Sequence, residues 1–418
     1  MNTIIILGSG IAALSAAREI RKHDRDIPIE IYSDENIFCY NRPMLSKKFL
    51  SDFDAEKYFA RMPKWCRENK VMLELENGAQ DIDLQEKSVT LRDGSRHEYD
   101  KLIYATGARS RVPDVPGAEM DHVISIRDLS DAEKVKDRLS ACRHITVIGG
   151  GMLGLEEAWR FHNMDKEVTV IEREQLLMHG QLDHKGSQLL EKAVRKSKVT
   201  VLTGTEVLKI EKDAVFAKGK EHYRIPAELV IVSAGITPNA EVGIRAGLSA
   251  KRSGGSHIDV DKHMRTSDPS VFAAGDVAYC QESDMPVFSH AMEMGRVAGA
   301  NAAGQEETYH QPTHSFVFSG FDTDIFSMGE VHREGQPGWQ DIDMSEARKH
   351  NYIRLYFHEE QFAGGILINA QDLTTEVVDA LEKRPSPKEM AQIVNSYYEK
   401  NHLTEETVAK FKQRYHIK

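Results

Sequence analysis

The sequence predicts an α/β fold: two Rossmann-like dinucleotide-binding domains, a small C-terminal α+β domain and a helical tail. Three observations carry this. Gly8-Ser9-Gly10-Ile11-Ala12-Ala13 follows the apolar run Thr3–Leu7. Gly149-Gly150-Gly151-Met152-Leu153-Gly154 follows Ile145–Ile148. Around both, strand-like and helix-like segments alternate, the pattern of a parallel sheet. One G-x-G-x-x-G is a weak signal, but a strand–turn–helix setting met twice is much stronger.

The elements follow in order. Thr3–Leu7 reads as a strand, Ile11–Lys22 has apolar residues at helical spacing, and Ile29–Tyr32 is a second strand. Residues 36–75 are irregular, with a helix expected over Lys57–Asn69. Val89–Leu91, the Asp93-Gly94 turn and Leu102–Tyr104 suggest a β-meander returning to the sheet. A second unit starts at Ile145, with a helix over Leu153–Asn163 and strands at Val168–Ile171 and Leu229–Val232. Val271–Ala273 reads as a strand before a tight turn, and Ala291–Ala303 as a helix. Past Gly304 the pattern alternates, in Thr313–Phe318, Tyr352–Phe357 and Ala363–Ile368. From about Leu381 the chain is charged and helical, with Pro385 and Pro387 as breaks. Ile393, Val394, Tyr397 and Tyr398, then Val408 and Phe411, keep helical apolar spacing there. They suit either this protein's own surface or a second subunit.

Composition narrows the function. The 418 residues allow two or three domains with sizeable cores. With 54 basic and 65 acidic residues the formal charge is −11, which argues against general nucleic-acid binding. No apolar stretch is long enough to span a bilayer. The N-terminal run lacks a basic leader and ends at a glycine turn, so it reads as a buried strand rather than a signal peptide. Cys39, Cys66, Cys142 and Cys280 form no C-x-x-C pair and no metal spacing, which fits a cytoplasmic setting. His310, His314, His350 and His358 have no ligand-like partners, so no metal site is expected.

The glycines have distinct tasks. Gly8 permits the sharp turn, Gly10 lets backbone approach a pyrophosphate, and Ala13 lets helix and strand pack closely. The positive helix end then faces the phosphates. A carboxylate closing the second strand holds ribose hydroxyls; Asp34 and Glu35 are both placed for it, the spacing favouring Glu35. Gly149, Gly151, Leu153 and Gly154 repeat the logic, with Glu172 as the carboxylate. That charge repels a 2′-phosphate and so favours NADH over NADPH, although Arg173 beside it softens the choice.

With these motifs the chain resembles the two-dinucleotide-binding-domain flavoprotein reductases, over most of residues 1–370. Ala105-Thr106-Gly107 is similar to that family's A-T-G turn leaving the FAD domain. Ala273-Ala274-Gly275-Asp276 resembles its second FAD fingerprint, and Gly235-Ile236-Thr237-Pro238-Asn239 the segment where the NAD domain returns. The resemblance implies an FAD domain over 1–108 plus 240–305, an NAD domain over 109–239, a small domain over 306–380 and a tail over 381–418. Tyr40-Asn41-Arg42-Pro43-Met44-Leu45-Ser46-Lys47 resembles the R-P-x-L-S-K stretch of rubredoxin and ferredoxin reductases. Disulfide reductases carry a redox C-x-x-x-x-C there, whereas Cys39 stands alone and reads as inert. The resemblance makes Arg42, Pro43, Ala79 and Phe288 flavin-site positions. It places Lys47 near flavin N5 and pairs it with Glu156. His290 could be a helix cap or a flavin contact, and reads first as a structural histidine.

The implied activity is an FAD-dependent NADH reductase feeding a rubredoxin- or ferredoxin-type carrier, working as a monomer or homodimer. Arg42, Lys47, Lys48, Lys57, Arg61 and Lys64 would supply a basic docking patch. Rival readings are a peroxide-forming NADH oxidase or diaphorase, the flavin module of a larger enzyme such as a nitrite reductase, and a flavoprotein whose reduced state signals.

Overall fold

The computed structural model describes residues 3–46, 61–250, 256–280, 286–312, 315–344 and 351–400. The chain divides into two compact units. The first comprises Met1–Arg111, Ile126–Glu133 and Gly235–Pro312; the second comprises Val112–Ser125, Lys134–Ala234 and Thr313–Lys418.

The first glycine motif lies between β1 (Ile4–Leu7) and α1 (Ile11–His23), followed by β2 (Ile29–Tyr32), β3 (Val71–Glu74) and β4 (Lys101–Tyr104). The second lies between β5 (His144–Ile148) and α2 (Met152–His162). After it come β6 (Glu167–Ile171), α3 (His184–Lys196), β7 (Thr200–Leu202) and β8 (Leu229–Val232). The chain returns to the first unit with β9 (Val271–Ala273) and α4 (Phe288–Ala302).

The first unit holds a sheet in the order β9-β4-β1-β2-β3, and all its pairings are parallel. Every β1 residue is buried, as a strand covered on both faces requires. Helix α4 packs on α1 without side-chain padding. A Cβ on Gly295 would sit 2.2 Å from the Ala12 carbonyl oxygen, and one on Gly299 2.4 Å from that of Ala16. The expected meander resolves differently. Gly94, at φ +86°, turns the chain into Arg96–Glu98, which closes a separate antiparallel sheet with Ala79–Asp83 and Ser88–Leu91. Leu102–Tyr104, apolar throughout and buried, belongs instead in the parallel sheet beside β1.

The second unit repeats the plan, with β7-β6-β5-β8 and the short Val123–Ile124 strand in order. A three-stranded antiparallel sheet over residues 206–226, not foreseen, lies in the same unit. Its C-terminal part is an antiparallel sheet of β10 (Ser315–Gly320), β11 (Thr323–Gly329), β12 (Trp339–Asp343), β13 (Tyr352–His358) and β14 (Gln361–Ile368), ordered β10-β11-β14-β13-β12. Two helices cover it, α5 (Thr374–Lys383) and α6 (Pro387–Lys400). Val377, Ala380, Met390, Ala391 and Val394 share one core with Phe326, Leu355 and Leu367, so the apolar stripe as far as Val394 covers this chain's own sheet. Pro387 opens α6 rather than interrupting a helix, at the position where its missing N–H costs nothing. Val408, Phe411 and the side chains of Tyr397 and Tyr398 lie outside the described residues. Among the described residues no helix is long and apolar enough to cross a membrane.

Candidate functional site

The first cradle is built by the glycines. Gly8 has φ +112°, and a Cβ there would lie 2.2 Å from the Ala105 carbonyl oxygen. Two segments a hundred residues apart are thus brought into contact. The Gly8 N–H donates to Tyr32 O at 2.7 Å, and the Ala105 N–H to Leu7 O at 2.8 Å. Gly10 differs: no protein atom lies within 4 Å of where its Cβ would be, so its missing side chain opens space. It caps α1 with no side-chain hydrogen bond, and α1 has no acid in its first turn. The first-turn N–H groups therefore remain for an anionic ligand. Helix α3 is the contrast, since Asp183 accepts there from the Gly186 N–H at 2.7 Å.

Charged groups gather in the same unit. Glu35 pairs with Arg42, which also donates to Arg127 O at 3.1 Å. Arg127 donates to Ala108 O at 2.8 Å and to the Asp276 carboxylate at 2.7 Å. Glu35, Arg42 and Asp276 are therefore linked through Arg127, which sequence reasoning missed. Its partners are distant in sequence, so spacing held no signal for it. Thr106 and Gly107 are joined to Asn239, whose carbonyl accepts from Thr106 Oγ1 at 2.8 Å and whose N–H donates to Gly107 O at 2.9 Å. Gly275, at φ +79°, faces Ala12, and Ala13 is fully buried. Asp34 stands apart from Glu35: it pairs with Arg92 and, with Ala79 and Arg245, lines a cavity of about 220 Å³. Pro43 is exposed.

Helix α4 begins three residues earlier than expected, because no side-chain cap marks its start at Val287. Phe288 opens it and is 37% exposed, so it is no core residue. His290 lies inside the helix, buried, with Nε2 3.3 Å from Pro312 O; it is not a cap.

The second cradle repeats the geometry with different support. Gly149 has φ +121°, and its Cβ would lie 2.3 Å from Ser233 O. Gly154 packs directly on the Gly149 carbonyl, at 2.1 Å from a built Cβ. Gly151 faces open space and caps α2 without a side-chain bond. Gly150 is also required, because Glu172 and Leu177 press on it. Glu172 accepts from the Gly150 N–H at 2.6 Å and the Glu174 N–H at 2.7 Å, so the carboxylate is fixed against the turn. Each oxygen keeps lone-pair capacity for a hydroxyl donor. Leu153 is half exposed at the helix entrance.

Two acids follow on α2. Glu156 is buried. Glu157, which sequence reasoning passed over, is 2% exposed and accepts from Ser233 Oγ at 2.5 Å. Burial pushes its carboxyl up to about 8 against the Ser233 hydrogen bond, with Glu156 adding to the rise. Cys39 is buried at φ +32°, and burial pushes its thiol up to about 12 despite Arg42 and Arg18. Such a thiol stays protonated and is a poor nucleophile. Lys47, Lys48 and Lys57 lie outside the described residues, as does the side chain of Arg61.

These open glycine cradles fit phosphate-bearing nucleotides, and comparison with known proteins agrees. The sequence profile described as "Pyridine nucleotide-disulphide oxidoreductase" matches residues 2–304, and that described as "Rubredoxin NAD+ reductase C-terminal domain" matches 317–385. The chain is 31% identical over 282 residues to rubredoxin-NAD(+) reductase of Pseudomonas putida, covering 66% of this chain and 71% of that protein. It is 26% identical to an NADH oxidase of Methanocaldococcus jannaschii, covering 94% of each. It is also 26% identical to nitrite reductase [NAD(P)H] of Bacillus subtilis, covering 93% of this chain but only 48%, about half, of that protein. Among solved structures, an NAD-dependent persulfide reductase from A. fulgidus superposes with a TM-score of 0.83 at 27% identity, covering 94% of this chain and 78% of the other. The chain is an oxidoreductase of the pyridine nucleotide-disulphide oxidoreductase family, and it carries a rubredoxin NAD+ reductase C-terminal domain.

Proposed function

We propose that this protein is an FAD-dependent NADH reductase that passes electrons to a small rubredoxin- or ferredoxin-type carrier. The observation that carries the reading is the pair of glycine cradles, each opening on an uncapped helix start. In this reading residues 1–108 and 240–305 hold FAD, and 109–239 hold NADH. Gly8, Gly10 and Ala13 would seat the FAD pyrophosphate, with Glu35 on a ribose. Arg42, Pro43, Ala79, Ala105, Thr106, Gly107, Gly275, Asp276 and Phe288 would complete that site, joined by Arg127 from the Ile126–Glu133 stretch that folds with the first unit. Gly149, Gly151, Leu153, Gly154, Glu156, Glu172 and Gly235 would serve the nicotinamide nucleotide. Bound flavin would supply the chemistry, taking a hydride from NADH and releasing electrons one at a time. Around it the protein's task is alignment and charge placement. Lys47 and Glu156 are the charged pair this reading assigns to the reacting ends. The protonated Cys39 thiol supports a relay without a dithiol. Free cysteines at all four positions suit a cytoplasmic setting.

The Methanocaldococcus relative, matched along nearly its whole length, favours one second reading, an NADH oxidase. The deciding experiment is anaerobic bleaching of the purified yellow protein with NADH, then addition of rubredoxin, ferredoxin or oxygen. Fast return of colour with a carrier is the expected result. Equally fast return with oxygen alone selects the oxidase, and a colourless protein unable to take up FAD overturns both.

A further inference from the structure

The loop between β6 and α3 has no strand or helix of its own, yet Leu177, Met178, Leu182 and Asp183 are buried in it. A buried loop must find partners for its backbone. On one side it meets the second cradle. The Met178 N–H donates to Gly150 O at 2.9 Å, and a Cβ on Gly150 would lie 2.5 Å from the Leu177 side chain. The Gln181 and Leu182 N–H groups donate to Met178 O at 2.8 and 3.0 Å, which closes the loop into one turn. On the other side it meets the C-terminal sheet, which belongs to the same unit. Ser327 Oγ on β11 donates to Gln181 O at 2.6 Å, and the Tyr352 hydroxyl on β13 donates to Asp183 Oδ2. The Tyr356 hydroxyl lies 3.3 Å from that same oxygen. These side chains alternate along their strands with Phe326, Met328, Ile353, Leu355 and Phe357, which fill the core under α5 and α6. They therefore stand on the sheet's opposite face, and all three are buried there. Such a face ordinarily turns its polar groups to water. Here it turns them to the loop that backs Gly150.

We propose that Ser327 and Tyr352 are positioning residues for the nicotinamide nucleotide: through Gln181 and Asp183, the C-terminal sheet holds the 177–182 turn against Gly150 and so fixes the second cradle. This deepens the function proposed above and rests on it. The links are continuous, from Ser327 to Gln181, from Gln181 to Met178 and from Met178 to Gly150. Asp183 is the fixed point beside them, because its other oxygen accepts from the Gly186 N–H at 2.7 Å and anchors the start of α3. Gly150 lies between the turn-forming Gly149 and the open Gly151, and its N–H donates to Glu172. A loosened turn thus displaces both the backbone N–H groups assigned to phosphate and the carboxylate assigned to ribose. What is lost is binding common to ground state and transition state, which raises KM and leaves kcat alone.

The test is calorimetric titration of the oxidised holoprotein with NAD+, which binds without turnover, alongside NADH kinetics with ferricyanide as acceptor. Ser327→Ala removes only the bond to Gln181. It should raise the NAD+ Kd and the NADH KM about fivefold and leave kcat within about twofold. Tyr352→Phe keeps the ring that packs on Gly186 and lies under Lys185, and removes only the bond to Asp183. It should show the same split between KM and kcat, which a purely structural role would not produce. Coupling is reciprocal, so NAD+ should slow amide exchange along residues 352–357 of the wild type, and less so in Ser327→Ala. A lower Tm with Kd and KM unchanged in both variants overturns the inference alone. Ser327→Ala decides the matter if Tyr352→Phe does not fold. Failure of the wild type to bind NAD+ overturns the proposed function and this inference with it.

Discussion

The two cradles share a backbone plan and differ in what steadies it. In both, a positive-φ glycine turns under a distant carbonyl, Ala105 O in one and Ser233 O in the other, and a second glycine leaves open space at a bare helix start. Around the first, the carboxylates Glu35 and Asp276 are bonded to arginine side chains. Around the second, Glu172 is held by backbone N–H groups and Glu157 by a serine hydroxyl. Cations beside the first suit a polyanion held permanently, because charge-assisted bonds are the stronger kind. Neutral donors beside the second suit a ligand that must leave each cycle.

The sharpest break of this comparison comes from substituting the glycines by role. Gly8→Ala should cost about 3 kcal/mol or more and abolish flavin uptake, since the new Cβ meets Ala105 O and the backbone is left-handed there. Gly10→Ala should stay within about 1 kcal/mol of wild type in urea unfolding, yet lower FAD affinity by about two orders of magnitude in apoprotein titration. Equal loss of stability in both would erase the distinction between turn-forming and ligand-facing glycines.

The next effect sharpens the second cradle. Glu156→Ala should slow flavin reduction by NADH at least tenfold in stopped-flow records while FAD stays bound; unchanged kinetics would remove Glu156 from the nucleotide site.

A smaller effect is thermodynamic. The folded Glu157 carboxyl titrates near 8 against an ordinary 4.5, so between those values the folded chain holds a proton that the unfolded chain has lost. Its contribution therefore falls as pH rises from about 4.5 to 8 and is constant above. Glu157→Gln should remove that slope, so its Tm should gain on that of wild type as pH rises to about 8 and keep a constant lead above it. The smallest expected change is in Cys39→Ser: NADH turnover should stay within about twofold, and a tenfold loss would restore a thiol to the chemistry.

What was legible in the sequence is what chain-local physics writes. Apolar runs such as Ile4–Leu7, glycine turns and helical spacing foretold both cradles, and the limits of β1, β2, β5, β6 and β8 fall within a residue of expectation, whereas α5 starts seven residues before the helical stretch expected from Leu381. The start of α4 is not legible in the sequence, because Val287 offers no capping side chain to announce it. The contacts that finish the sites join residues far apart in the chain. Arg127 meets Asp276 only after the fold forms, and Glu157 reads as another charged residue on a helix until Ser233 is seen beside it. The pairing of Gly295 with Ala12 and of Gly299 with Ala16 had a visible trace, two glycines four apart, but nothing in the chain named the surface they meet.

The first unit is assembled from three separate stretches of polypeptide, the middle one only Ile126–Glu133. An open reading frame cut after Arg111 would lack β9, α4 and Arg127, and with them the sheet edge and the cation that bridges Asp276. All three stretches must therefore be present before this unit can complete its five-stranded sheet and its Arg127–Asp276 bond.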